Sequence, residues 1–226
     1  MPIDKIVPSV ADALAGIGDG ATIMVSGFGG AGAPDQLLAG LARMGRRGLT
    51  VVANNAGAGP AGLAPLFRAG SVTKLICSFP RGAGAEMFEA AYRRGEVELE
   101  LCPQGTLSER IRAGGAGIGG FYTRTSVGTR LADGKETRVL DGAVHVLELP
   151  LHADFALIHA DRADRLGNLT YSKTARNYGP AMATAATTTI VQARRIVDVG
   201  SLDPECVVTP GIYVQRVVHV PVEARP

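Results

Sequence analysis

The residues in this sequence best suited to chemistry are side-chain amides. Asn54 and Asn55 close the apolar run LTVVANN, and Gln104 follows the run VELELC by two positions. An amide N–H can donate to a carbonyl oxygen as it becomes an oxyanion, and it adds no titrating group. Each amide taken alone also suits a turn or a helix cap. The stretch SGFGGAGAP, Ser26 to Pro34, sets Gly27, Gly29 and Gly32 at the spacing G-x-G-x-x-G. A dinucleotide turn with that spacing needs an acidic residue about 20 positions on to hold a ribose hydroxyl. Asn54 and Asn55 occupy that region instead, and no Lys-Ser or Lys-Thr follows the glycines to make a Walker loop. Two readings stay open: backbone brought close to a ligand ahead of a helix N-terminus, which favours anions, or a turn that is glycine-rich only for packing.

An attacking group is missing. There is no G-x-S-x-G, no H-E-x-x-H and no His, Asp and Ser set that sequence order recommends. His145 and His159 alternate inside apolar runs and read as hydrogen-bonded structural histidines. Cys77, Cys102 and Cys206 are odd in number and widely spaced, so they read as structural thiols and imply neither a metal nor a disulfide framework. Glu86, Glu109, Glu136 and Glu148 fall on helix, cap or hairpin positions. What remains is half of an acyl-transfer site: oxyanion donors and a ligand loop without a nucleophile.

The elements that must position these groups alternate in type. TIMVS (22 to 26), LTVVA (49 to 53), VTKLICS (72 to 78) and VELELC (97 to 102) are β-rich apolar runs separated by helical patterns, which predicts a largely parallel sheet. In PDQLLAGLARMG, Leu37, Leu38, Leu41 and Met44 share one helical face, with Pro34 and Asp35 suited to the first turn. Thr106 and Glu109 have capping-box spacing, predicting a helix that runs through Arg112 and stops at Gly114. TRVL, Asp141-Gly142 and AVHVLEL predict a type I′ hairpin joining the sheet. FALIHA (155 to 160), TTTIVQA (187 to 193) and IYVQRVVHV (212 to 220) predict further strands, with GNLTYSKTARNYGP as a polar loop or short helix. The predicted fold class is α/β: a single domain over 1–226, with a mostly parallel sheet flanked by helices and an antiparallel hairpin or edge. In such a sheet, ligands bind at the carboxyl ends of the strands, where Asn54, Asn55 and Gln104 all fall.

Composition narrows the partners. A chain of 226 residues, 46% hydrophobic, can bury one substantial core. A formal charge of +2 with interspersed signs argues against a nucleic-acid or anionic-membrane surface. Aromatic residues are 5% with no tryptophan, which argues against base stacking. No apolar run reaches the roughly 18 residues of a membrane span, and no charged start leads into an apolar h-region. The expectation is a soluble, cytoplasmic protein.

DGATIMVSGFGGAGAP, Asp19 to Pro34, resembles the N-terminal signature of the A subunits of two-component 3-oxoacid CoA-transferases: Asp-Gly, an apolar strand, Gly-Gly-Phe and Gly-x-Pro. VVANNAG, CPQGTLSERIRAGGAGIGGFYT, GTRLADGKE, GNLTYSKTARN and TPGIYVQRVV are also similar to that family, so the resemblance spans almost the whole chain. Ser26 stands where the signature usually has the first of two glycines. A serine can end a strand without positive φ, so the loop geometry is expected to survive. CSFPR (77 to 81) and LELPLHADFALI (147 to 158) resemble the branch that works on 3-oxoadipate.

The resemblance implies the CoA-transferase (NagB-like) fold and transfer of CoA from succinyl-CoA to 3-oxoadipate during breakdown of aromatic compounds. CoA is then a substrate, and neither a cofactor nor a metal is implied. The implied partner is a B subunit in an A2B2 assembly, whose glutamate, in a Glu-Asn-Gly or Glu-Ser-Gly setting, supplies the missing nucleophile. Carried over residue by residue, Asn54, Asn55 and Gln104 belong to the oxyanion environment, and Ser26, Gly27, Phe28, Gly29, Gly30, Ala31 and Gly32 to the CoA-binding segment. Both acids carry a second carboxylate. Arg81 and His152, in the two branch-specific stretches, are candidates to meet it, with Arg124 and Lys173 behind them. The rivals are the same transferase class acting on acetoacetate or a short fatty acid, and a non-catalytic sugar-phosphate or effector-binding domain.

Overall fold

The computed structural model describes residues 3–57, 61–82 and 84–221. Among these, twelve strands and six helices follow in this order: β1 (Ile6–Val7), α1 (Val10–Leu14), β2 (Thr22–Val25), α2 (Asp35–Arg43), β3 (Leu49–Asn55), α3 (Ala64–Arg68), β4 (Val72–Phe79), α4 (Glu86–Arg93), β5 (Glu98–Leu101), α5 (Gln104–Ala116), β6 (Phe121–Thr123), β7 (Thr137–Leu140), β8 (Ala143–Glu148), β9 (Ala153–Asp164), β10 (Leu169–Thr170), α6 (Gly179–Ala185), β11 (Ala186–Val197) and β12 (Arg216–His219). The main sheet has the order β1-β12-β11-β9-β2-β3-β4-β5, parallel throughout, with β10 antiparallel beside β9. The α/β class with a mostly parallel sheet is therefore observed.

Strand periodicity sorts the core into two layers. Ile23, Val25, Val51, Ala53, Leu75 and Cys77 face one side, where α1 to α4 contribute Leu14, Leu38, Leu41, Phe67 and Phe88. Met24, Val52, Ile76, Ala156 and Ile158 face the other, under Leu107 and Ile111 of α5 and Met182 of α6. Strands buried on both faces read as continuous apolar runs, the property that makes β2 to β4 visible in the sequence. The α2 start is capped from a distance: Gln192 Oε1, on β11, accepts from the Gln36 and Leu37 N–H groups at 3.0 and 3.2 Å.

Three expectations need correction. Thr106 is not a cap: α5 begins at Gln104, directly after Pro103, and Thr106 lies buried in its first turn. Glu109 pairs with Arg112 at 2.8 Å instead of reaching back. Nor does α5 stop at Gly114. It runs on to Ala116 and turns at Gly117, φ +69. A Cβ at Gly114 would lie 2.1 Å from the Leu151 carbonyl oxygen, and one at Gly115 1.9 Å from Thr184 Oγ1. These glycines serve close packing onto α6 and the chain leading into β9.

The hairpin forms as expected, with Asp141 at φ +48 and Gly142 at φ +73. It does not join the main sheet, however. With β6 it makes a separate antiparallel sheet, β6-β8-β7. Of IYVQRVVHV only Arg216–His219 is strand, because Gly211–Tyr213 closes into a 3-10 turn. GNLTYSKTARNYGP divides into β10, a 3-10 turn at Lys173–Arg176 and the first turn of α6.

Candidate functional site

Four neighbouring strands deliver their carboxyl ends to one edge of the sheet. β2 leads into Ser26–Pro34, β3 ends in Asn54 and Asn55, β4 runs through Ser78 and Phe79 toward Arg81, and β5 is followed by Pro103 and Gln104. The register places Asn55 opposite Phe79. Between these ends lies a cavity of about 820 Å³ lined by Phe28, Gly29, Asn54, Asn55, Gly57, Ser78, Phe79, Arg81, Gly82 and Gln104. Its walls are aromatic at Phe28 and Phe79, 49% and 59% exposed, and its polar groups are three amides, a hydroxyl and a guanidinium.

The glycine spacing has separable causes. Gly29 and Gly30, both at positive φ, turn the chain between Phe28 and Ala31, whose backbones exchange hydrogen bonds at 3.0 Å each way. Gly32 is bare because a Cβ there would fall 2.4 Å from the Ala175 carbonyl oxygen. Ser26 points beneath the loop. Its Oγ donates to the Gly32 carbonyl at 2.8 Å and accepts from the His159 N–H at 3.1 Å, tying both ends of the turn to β9. The Asp-Gly half of the signature is remote from this edge. Asp19 Oδ1 accepts from the Arg47 N–H at 2.9 Å, in the turn that opens β2.

The amides form a chain. Gln104 Nε2 donates to Asn54 Oδ1 at 2.9 Å, and Asn54 Nδ2 donates to Asn55 Oδ1 at 3.1 Å. Asn55 Nδ2 donates to the Gly57 carbonyl at 2.5 Å, and Asn55 Oδ1 accepts from the Gly29 N–H at 3.3 Å. The amide cluster and glycine loop are thus linked directly. A primary amide has two N–H groups; Gln104 and Asn55 each use one in these bonds.

Of the groups expected to meet a second carboxylate, Arg81 lines the cavity and forms no ion pair among the described residues. His152 lies elsewhere. It immediately precedes β9, at the amino end of a parallel strand and therefore at the opposite edge, beside Gly114. Arg124 is exposed just past β6 of the small sheet, and Lys173 is exposed in its 3-10 turn at φ +50. Neither lines the cavity.

Nucleophile-type groups nearby are quiet. Burial pushes the Cys77 thiol up to about 12. Burial also lowers His159, against the opposing pull of Asp35 and Asp161. Contrary to expectation, His159 Nδ1 has no hydrogen-bond partner, whereas His145 Nδ1 lies 2.9 Å from the Ala143 carbonyl oxygen. Among the described residues, no group of three or more His, Cys, Asp and Glu side chains could hold a metal ion.

Charge concentrates on the far side of α5. There Arg110 pairs with Glu100 at 2.9 Å, Lys135 with the buried Glu148 at 2.5 Å, and Lys74 with Glu98 and Glu100 at 2.9 and 3.1 Å. Of these groups, Glu100, Arg110, Lys135 and Glu148 line a second cavity of about 530 Å³ between β5, α5 and β8.

Sequence reasoning assigns no role to Ser78, Phe79, Asn177 or Tyr178. The last two cross from the β10–α6 connection to the site. Asn177 Oδ1 accepts from the Gly27 N–H at 3.0 Å, and the Tyr178 hydroxyl donates to Asn54 Oδ1 at 3.3 Å. Their sequence signals are the polar tract ARNYGP ahead of a helix and, for Asn177, its place at the end of the family-like stretch GNLTYSKTARN, and neither signal specifies a role.

A family model described as Coenzyme A transferase matches residues 7–220. The chain is 58% identical over 218 residues to the A subunit of 3-oxoadipate CoA-transferase from Pseudomonas putida, covering 96% of this chain and 94% of that protein. It is 52% identical over 207 residues to the A subunit of succinyl-CoA:3-ketoacid coenzyme A transferase from Xanthomonas campestris, covering 91% and 85%. Among solved structures, the apoenzyme of an acyl-CoA transferase from Escherichia coli O157:H7 has the same fold, with TM-score 0.88 at 21% identity. That match covers 97% of this chain and 48% of the other, so the chain spans about half the length of that structure.

Proposed function

The chain belongs to the coenzyme A transferase family, and on that premise we propose that it is the A subunit of a two-component enzyme moving CoA from succinyl-CoA to 3-oxoadipate. The observation that carries this reading is the composition of the cavity at the carboxyl edge. It has amide donors, a glycine loop and one arginine, and among the described residues its lining holds no carboxylate, thiol or imidazole. Its one hydroxyl, Ser78, has no base in that lining to take its proton, so a site so built can stabilise an oxyanion but lacks an activated nucleophile. The relatives are A subunits by name, which supports a separate B subunit; to that subunit we assign the attacking glutamate, in an A2B2 assembly. The whole chain, 1–226, acts as one transferase unit. No helix among the described residues is long and apolar enough to cross a membrane, and the proposed setting is the cytoplasm.

The chemistry is covalent and ping-pong. The partner's glutamate carboxylate attacks the succinyl-CoA carbonyl, expelling CoA thiolate and leaving a mixed anhydride. The thiolate attacks the glutamyl carbonyl, releasing succinate and forming the enzyme thioester. The carboxylate of 3-oxoadipate next attacks that thioester, and the expelled thiolate takes up the 3-oxoadipyl group, regenerating the glutamate. Each addition creates an oxyanion. The second N–H groups of Gln104 and Asn55, with Asn54 Nδ2, are the donors assigned to it, and one such donor contributes about 3–4 kcal/mol. Ser26, Gly27, Phe28, Gly29, Gly30, Ala31 and Gly32 form the CoA wall. CoA enters as substrate and no cofactor is invoked.

Arg81 is assigned the distal carboxylate of the dicarboxylic acids, because it is the cation in the lining and its planar fork suits a carboxylate. A second reading, transfer to acetoacetate, is favoured by the 52% identity to the succinyl-CoA:3-ketoacid enzyme. The deciding experiment assays the purified chain with and without its B partner, using succinyl-CoA and either 3-oxoadipate or acetoacetate. Activity is expected from the pair alone and chiefly on 3-oxoadipate. Arg81→Ala should impair 3-oxoadipate far more than acetoacetate, and equal losses would remove Arg81 from that role. Activity from the single chain, or none from the pair on either acid, overturns the reading.

A further inference from the structure

The amides and the glycine loop can stabilise a developing charge only if their donors already point the right way. The residues that fix those directions come from a segment more than a hundred positions downstream. Asn177 uses its whole hydrogen-bonding capacity. Oδ1 accepts from the N–H groups of Gly27 at 3.0 Å and Tyr178 at 2.8 Å, while Nδ2 donates to the carbonyls of Ala31 at 2.9 Å and Thr174 at 3.0 Å. With two acceptor and two donor contacts satisfied, the amide has one orientation and grips both arms of the loop. The absence of a side chain at Gly32 belongs to the same contact, since a Cβ there would also come within 3.0 Å of Asn177 Nδ2.

Tyr178 acts on the other half. Its ring is packed in the core with Met182 and Leu107. Its hydroxyl has Asn54 Oδ1 as the nearer acceptor at 3.3 Å and the Gln104 carbonyl at 3.5 Å, and Gln104 Nε2 also arrives at Asn54 Oδ1, at 2.9 Å. Two donors converge on one oxygen. A flipped Asn54 would present its own N–H groups to both, so this convergence turns Nδ2 toward Asn55 and the cavity. The Tyr178 phenol is protonated throughout the neutral range at its ordinary value, and burial pushes that value higher still.

We propose that Asn177 and Tyr178 are positioning residues that hold the two halves of the site in register, Asn177 setting the ligand loop and Tyr178 the orientation of the Asn54 carboxamide. Neither lines the main cavity, although both line a smaller one of about 290 Å³ that shares Phe28 and Gln104 with it, and the catalytic part of the proposal rests on the transferase reading. The two residues predict different kinetic signatures in the assembled enzyme. Tyr178→Phe keeps the packed ring, and it should lower kcat about tenfold with KM for succinyl-CoA unchanged. Asn177→Ala should raise KM for succinyl-CoA about tenfold with a smaller change in kcat. Tyr178→Phe made in a Gln104→Ala background should cost more than it does alone, because Tyr178 is then the remaining side-chain donor that holds the Asn54 oxygen.

A merely structural role would lower the melting temperature and the active fraction without dividing KM from kcat. That pattern, or strictly additive losses in the double variant, overturns the catalytic part. Hydrogen exchange on the chain itself supplies a readout that does not depend on the reaction. The Gly27 amide should exchange at least about tenfold faster in Asn177→Ala, and unchanged exchange overturns the loop assignment. Should Asn177→Ala fail to fold, Asn177→Ser is read in the same way. A wild-type pair inactive on every 3-oxoacid, with exchange at Gly27 still raised, means that the transferase reading failed and the loop anchor stands.

Discussion

Helix α5 carries one residue from each of two polar clusters, and the clusters are built on opposite terms. At its first residue Gln104 joins Asn54, Asn55 and Tyr178, all uncharged, at the carboxyl edge of the sheet. Two turns on, Arg110 joins Glu100, Glu148 and Lys135, with Lys74 beyond. The charged cluster spends its capacity on itself, each carboxylate meeting a cation within the group. The amide cluster, among the described residues, keeps N–H groups unspent beside an open cavity. Charged side chains draw the eye in a sequence, but unspent hydrogen-bonding capacity at an accessible edge marks the site here, and self-paired charge marks scaffold.

The largest expected effect separates the clusters by activity. Gln104→Ala should lower kcat of the assembled enzyme about 10²- to 10³-fold, roughly 3–4 kcal/mol, with the unfolding midpoint nearly unchanged. A loss of stability with kcat intact would invert the distinction. Glu148→Gln should do the converse. The carboxyl is 2% exposed, and its loss leaves Lys135 without its countercharge while Arg110 keeps Glu100, which costs about 2–3 kcal/mol of stability because Lys135 partly recovers water. Steady-state rates per folded molecule should not move, and a kcat defect would merge the clusters functionally.

Ser26→Ala comes next, at about 1–2 kcal/mol, since it strands the Gly32 carbonyl and the His159 N–H. Denaturant unfolding reads the loss, which should be accompanied by a raised KM for succinyl-CoA; an unchanged KM would detach the loop from CoA. The smallest effect is a pH step. Burial alone would raise Glu100, but hydrogen bonds from Arg110 and Lys74 prevail and hold it below its ordinary value. The unfolded chain therefore takes up that proton first. The contribution is present above about pH 4.3 and is lost as pH falls through the folded value. Unfolding measured at about pH 6 and about pH 3.5 should show this step shrinking in Glu100→Gln; an identical acid loss would take Glu100 out of the balance.

What can be read from the sequence divides along the range of the interactions. β2 to β4 are visible because a strand between two helical layers writes an apolar run into adjacent residues, and Asp141-Gly142 sets its own turn. Thr106 misleads because capping spacing is local, whereas Pro103 and the packing of Gly114 against Leu151 decide where α5 starts and stops. At the site, the strand-end rule brings Asn54, Asn55 and Gln104 to one edge. The case for His152 rests on the resemblance of its stretch, with no regard to which end of β9 it occupies. Asn177 and Tyr178 draw no role because their partners lie 150 and 124 residues away, and nothing local in ARNYGP records that.

The same separation has a consequence for synthesis. β2 pairs with β3 on one side and with β9 on the other, and the loop after it is fastened by Asn177. During translation, at about 5–20 residues per second, the glycine loop leaves the ribosome well before its clamp, so for several seconds it is a tether with one free side. The glycine loop is synthesised 150 residues ahead of the side chain that clamps it and becomes rigid only when that side chain arrives.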